Sequence, residues 1–200
     1  MGLSMESMAI EMPAVLGHPN RVGFKGVLTI VDVASDKPPA GARGHRVLLT
    51  RRAAEAAIPS LLGMGLDYTP ALDRHDVRRK IGVITRAEIV GRGIEVSGFL
   101  YARDFPEIVE EIEKAGPRSA GRTSLSGSAR SVTKASDQND PSRAGMPVAH
   151  GLGMSYEIAD AQIQDIHASV WVLNKVTFTG AAILLREKAA YRATWIALER

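Results

Sequence analysis

Ile81-Gly82-Val83-Ile84-Thr85-Arg86-Ala87-Glu88-Ile89-Val90-Gly91-Arg92-Gly93-Ile94-Glu95-Val96-Ser97-Gly98-Phe99-Leu100-Tyr101 is the stretch that decides the fold class. Two β-branched runs flank Gly91-Arg92-Gly93, so the pattern predicts a hairpin with a three-residue turn. Strict alternation in the second run places Ile94, Val96 and Gly98 on one face and Glu95, Ser97 and Phe99 on the other. A strand pair with one apolar face has to cover that face, which predicts a sheet-based core.

Upstream of the hairpin, Phe24 to Val33 reads as a strand, Ser35 to Gly44 with Pro38-Pro39 as a loop, and Arg46 to Leu49 as a short strand. Thr50 is placed to cap a helix over Arg51 to Ile58, with Pro59 limiting it. Leu61 to Leu66 runs into Asp67-Tyr68-Thr69-Pro70, a turn that delivers the chain to His75. Residues 1–21 are Met-rich without a period and read as a flexible N-terminal arm. The remainder, 22–200, reads as a single domain.

Downstream, Asp104, Pro106 and Glu107 predict a helix start resembling a capping box. Ile108, Ile112 and Ala115 form its apolar stripe, Glu110 and Lys114 an i,i+4 pair, and Gly116-Pro117 its end. From 117 to 148 Ser, Thr, Gly, Ala and Arg dominate. Such a stretch buries too little surface to offset its ordering entropy, so a mobile loop is expected there. Sheet returns at Gly151-Leu152-Gly153-Met154-Ser155-Tyr156-Glu157. Ile163 to Ile166 and Ala168 to Phe178 are strand-like and Ala181 to Leu185 is apolar. Arg186 to Tyr191 reads as a helical turn, and Arg192 to Leu198 as a last strand or helix.

Composition narrows the chemistry. Hydrophobic residues are 45% of the 200, charged residues 24% and aromatics 5%, which fits one globular domain with a mostly aliphatic core. The absence of cysteine rules out thiolate chemistry and disulfides. A net charge of +3 is too mild to argue for nucleic acid by itself. Arg74, Arg78, Arg79 and Lys80 form a basic cluster, but without interleaved aromatics for stacking. No apolar run is long enough to span a membrane, and neither a signal peptide nor a myristoylation pattern is expected, since Glu6 stands where Ser or Thr is required. No metal-ligand spacing, P-loop or dinucleotide fingerprint is present, so no cofactor is expected.

A serine hydroxyl needs a base within hydrogen-bond reach before it can attack a carbonyl. Ser155 follows Gly151 and Gly153, which allow a substrate close to the backbone. Of the five histidines, His18, His45, His75, His150 and His167, composition alone selects none.

The order of motifs does select. His75-Asp76, then Ile81-Gly82-Val83-Ile84, then Gly93-Ile94-Glu95-Val96-Ser97-Gly98 resembles the progression of the prohead maturation proteases of tailed phages and, more distantly, the herpesvirus assembly proteases (assemblins). Gly153-Met154-Ser155-Tyr156 resembles the nucleophile strand of the phage enzymes. Asn174-Lys175-Val176-Thr177-Phe178-Thr179-Gly180-Ala181 resembles the strand that follows it. The likeness covers roughly residues 24–198.

The resemblance implies a mainly β protein with flanking helices, folded as a small closed or nearly closed β-barrel of the herpesvirus-protease type. It implies a serine endopeptidase with Ser155 as nucleophile and His75 as general base. It implies processing of scaffold and major capsid protein, together with self-association, inside the immature capsid in the bacterial cytoplasm. The third catalytic position falls at Lys175, where the family carries an acid or a second histidine, and a lysine ammonium cannot accept the Nδ1–H of His75. Thr177, Asp165, His167 and Glu157 are the alternatives, or the site runs as a dyad. The assemblin pattern also points to Arg186, with Lys188 nearby, for stabilising the oxyanion. Two other readings stand beside this one: an inactive homologue retained for capsid assembly, and a basic nucleic-acid-binding barrel.

Overall fold

A computed structural model describes residues 7–13, 15–116 and 151–199; the expected loop at 117–148 lies outside the described residues. The protein is mainly β, a strongly curled sheet with two short helices. Its strands are β1 (Ser7–Ala9), β2 (Val22–Ile30), β3 (Arg46–Leu49), β4 (Gly65–Asp67), β5 (Lys80–Val90), β6 (Gly93–Leu100), β7 (Leu152–Ile163), β8 (Val170–Leu185) and β9 (Trp195–Leu198). The helices are α1 (Arg51–Ala57) and α2 (Pro106–Ala115).

The β5–β6 hairpin forms as its alternation requires, with Ile94, Val96, Gly98 and Leu100 buried and their neighbours half-exposed. Its turn is tighter than expected. Val90 pairs with Gly93, leaving Gly91-Arg92 as the turn, and Gly91 takes φ 59°. A Cβ on Gly98 would stand 1.9 Å from the Val83 carbonyl oxygen, and one on Gly82 2.3 Å from that of Phe99. These glycines let the two strands coil past a register shift between Ile84 and Arg86, and that coiling curls the sheet.

The order across the sheet is β3-β8-β4-β5-β6-β2-β9, with β1 on β5 and β7 on β8. The long β8 organises the second half. One of its edges takes β7 antiparallel, and the other takes β3 at Val170–Leu173 and β4 at Ala181–Ala182, both parallel. The far edge of β7 has no ladder partner among the described residues. It packs against β2 and β9, and the Met154 N–H donates to Thr194 Oγ1 at 3.1 Å. Phe24, Leu28, Leu49, Ile58, Leu61, Leu66, Ile81, Ile84 and Leu100 fill the concave side.

Thr50 caps α1 as expected, its Oγ1 accepting from Ala53 N at 3.2 Å. The α-helix ends at Ala57 with Ile58 as its C-cap, as Pro59 predicts. The chain tightens into a 3₁₀ turn over Ile58–Leu61, because proline lacks only a donor that the first turn leaves unused. The capping box on α2 does not form: Phe105 holds the cap position without a side-chain bond, Asp104 accepts from Asn20 Nδ2, and Glu107 accepts from the Tyr68 hydroxyl. Ile108 and Ile112 are buried, and Lys114 pairs with Glu110 at 3.7 Å. The segment after Leu185 is a turn and Trp195–Leu198 is a strand, paired with β2. Part of the N-terminal arm joins the sheet as β1. Among the described residues no helix is long and apolar enough to cross a membrane.

Candidate active site

Register builds the site. On β7, Ser155 lies opposite Ala182 of β8, and on the other edge of β8 Ala182 lies opposite Asp67, the last residue of β4. Residues directly opposite one another in a ladder share a face, so Ser155, Ala182 and Asp67 form one row on one side of the sheet. Two strand spacings, about 9.5 Å, separate the ends of that row. An imidazole with a contact at either end fills such a span, and the methyl of Ala182 leaves room above it.

His75 occupies that place. Its Nε2 is 3.2 Å from Ser155 Oγ, and its Nδ1 is 3.5 Å from Asp67 Oδ1. The second contact is electrostatic and longer than a full hydrogen bond, as resting sites often are. A carboxylate on the Nδ1 side favours the tautomer protonated there and leaves Nε2 to accept the serine proton. His75 is nearly enclosed, with its side chain 13% exposed, and Asp67 is fully buried.

A buried carboxylate must be satisfied. Asp67 Oδ1 accepts from the Asp76 backbone N–H at 3.1 Å, and Oδ2 pairs with Lys80 Nζ at 3.0 Å. Burial alone pushes this carboxyl up, but the His75 and Lys80 contacts outweigh it and hold it below the usual carboxylate range. One carboxylate thus holds both the imidazole and the backbone of the loop that carries it.

The loop from Tyr68 to Arg79 is fixed at further points. Thr69 Oγ1 donates to Asp73 Oδ1 at 2.8 Å, and the Leu185 N–H donates to the Leu72 carbonyl at 2.7 Å, clamping the loop over the end of β8. Leu72 has φ 51°, a left-handed conformation unusual for a branched residue and held here by those bonds. Arg79 lies over the rings of Tyr68 and Phe105 and pairs with Glu107.

His75 and Ser155, singled out in the sequence, are therefore brought together. The positions considered for the third member are not. Lys175 is exposed and opposite Gln162. Thr177 Oγ1 donates to Asp160, while Asp165 accepts from the His167 backbone. Glu157 stands beyond Ser155, over Gly180 rather than beside His75. The acid near Nδ1 is Asp67, read in the sequence as a turn residue. Its signal was an acid ending an apolar run, just before a loop that returns a histidine to the sheet. Arg186 lies against Gly151, with its guanidinium donating to the Leu152 carbonyl at 3.4 Å. Gly151 is about 13 Å along the strand from Ser155, and the guanidinium contacts described are at Gly151 and Leu152.

Beside the pair opens a cleft of about 570 Å³ along the free edge of β7, opposite Pro39–Ala42 and Ala190–Tyr191. Its walls are mainly apolar, from Met154, Tyr156, Ile158, Trp171 and Leu173. No group of three metal-ligating side chains occurs among the described residues. No protein-family model matches this sequence, and no curated protein matches it.

Proposed function

We propose that this chain is a serine endopeptidase in which Ser155 is the nucleophile, His75 the general base and Asp67 the residue that orients His75. One observation carries the reading: an imidazole with Ser155 Oγ at 3.2 Å on one nitrogen and a buried carboxylate on the other, beside an open cleft. Ser155 Oγ adds to a peptide carbonyl carbon while its proton passes to His75 Nε2. The C–N bond then breaks, and the departing amine takes that proton. Water attacks the resulting ester with His75 again as base, releasing the acid and restoring Ser155. Asp67 supports the imidazolium formed at each step.

The motif order quoted above extends the proposal to a prohead maturation protease acting on scaffold and major capsid protein. It also extends the curled sheet to a nearly closed barrel of the herpesvirus-protease type, with the β7 edge resting on β2 and β9 as the seam. Asp67 departs from that family's arrangement, because it precedes His75 instead of following Ser155. The reading as an inactive homologue draws on the lysine at 175; the carboxylate of Asp67 beside His75 supports the active reading over it. The nucleic-acid reading draws on the cluster at 74–80, of which Arg79 and Lys80 are engaged with Glu107 and Asp67.

Coexpression with the scaffold and coat proteins tests the proposal. The wild-type chain should shorten one or both, and Ser155→Ala and His75→Ala should leave them whole. Identical cleavage by wild type and Ser155→Ala ends the protease reading, and an active His75→Ala removes the assignment of the base.

A further inference from the structure

Among the described residues one carboxylate, that of Glu157, lines the cleft beside Ser155. Glu157 follows Ser155 on the same face of β7 and lines the cleft with Met154, Tyr156, Ile158, Trp171 and Leu173. Its partner across the ladder is Gly180, and a Cβ there would stand 2.7 Å from Glu157 Oε2 and 3.2 Å from Glu157 Cβ. The glycine therefore gives the carboxylate a place to lie. Among the described residues no cation pairs with Glu157, although the sheet carries many cations elsewhere.

We infer that Glu157 makes this cleft a site for a lysine or arginine side chain of the substrate, next to the bond that is cut. The inference rests on the endopeptidase reading and names its substrate class. A lysine buries its aliphatic stem along apolar walls while presenting a charge at the tip. The cleft offers that pairing of an apolar wall with one acid. Glu157 lies about 6.7 Å along the strand from Ser155, a distance a lysine or arginine side chain spans. A purely aliphatic side chain would leave the carboxylate partly desolvated with nothing in return, and an acidic one would meet a like charge. Glu157 is half-exposed, so the preference for lysine over norleucine, which lacks the terminal amine, is on the order of tenfold.

The test uses the full chain and a mixture of internally quenched peptides, identified after cleavage by mass spectrometry, followed by matched peptides carrying Lys, norleucine or Glu at the selected position. Wild type should cut beside Lys or Arg. Glu157→Gln should bring the Lys to norleucine ratio of kcat/KM close to one, and Glu157→Lys should invert the ratio of Lys to Glu. Because each readout is a ratio within one variant, loss of folded protein does not imitate it. Labelling of Ser155 by a fluorophosphonate separates the two levels of the argument. A chain that labels, yet cuts beside neutral residues or keeps its lysine preference in Glu157→Gln, overturns the inference and spares the hydrolase. A chain that neither labels nor cuts overturns both.

Discussion

Asp67 and Glu157 stand on the same face of the sheet as Ser155, in opposite surroundings. Asp67 is fully buried, receives the Asp76 N–H and Lys80, and faces His75. Glu157 is half-exposed at a cleft, with no cation on it among the described residues. Each faces a small residue of β8, Ala182 for Asp67 and Gly180 for Glu157. The residue opposite decides what each acid can do. Ala182 leaves room for an imidazole, and Gly180 lets a carboxylate lie flat and wait for a partner from outside. Proximity to the nucleophile is shared; satisfaction is not, and an acid already satisfied orients while an unsatisfied one recruits.

The sharpest way to break this contrast is Asp67→Asn. It keeps the shape but loses the charge that selects the His75 tautomer, and kcat should fall by about 10⁴. A purely structural role would be exposed by acid titration of folding. The Asp67 carboxyl is held below its ordinary range, so its contribution to stability is complete at neutral pH and is lost as pH falls through that lowered value. The wild-type melting temperature should therefore drop at acid pH more steeply than that of Asp67→Asn. Equal slopes, or unchanged turnover, would remove Asp67 from its role. Ala182→Leu comes next. A branched side chain in the middle of the row displaces the imidazole, and a misplacement near 1 Å costs about 10² in kcat/KM. Full activity in a folded Ala182→Leu protein would show that His75 does not cross above that methyl. The smallest effect belongs to Gly180→Ala. The new methyl presses on the Glu157 carboxylate and should lower the lysine over norleucine ratio by roughly two- to fivefold, a surface-pair effect read from matched peptides.

What the sequence made legible follows the range of the forces involved. The β5–β6 hairpin is local, so alternation located it, and only the turn length was missed because Gly93 pairs with Val90. Thr50 announced its cap through its own chemistry. The α2 cap failed as an expectation because Asp104 and Glu107 found distant partners, Asn20 and Tyr68, that no local pattern contains. The order of motifs singled out His75 and Ser155, whose side chains lie 3.2 Å apart. It did not single out Asp67, because its place beside His75 depends on β4 and β7 pairing with opposite edges of β8 at the same residue, a coincidence of register between segments far apart in the chain. The positions expected for a third member, Thr177 and Lys175, pair with Ala159 and Gln162, farther along β7 from Ser155 than an imidazole reaches.

The ladders on β8 and β9 have one more consequence. Asp67 and His75 precede Gly116 in the chain, and Ser155 follows Gly151. The pairings of β8 with β3 and β4, and of β9 with β2, join those two stretches across the sheet without a covalent bond. Expressed as separate polypeptides, the two stretches are natural candidates for complementation. Neither piece would hold both His75 and Ser155, and the docking of one β-rich fragment onto the other would bring the two together.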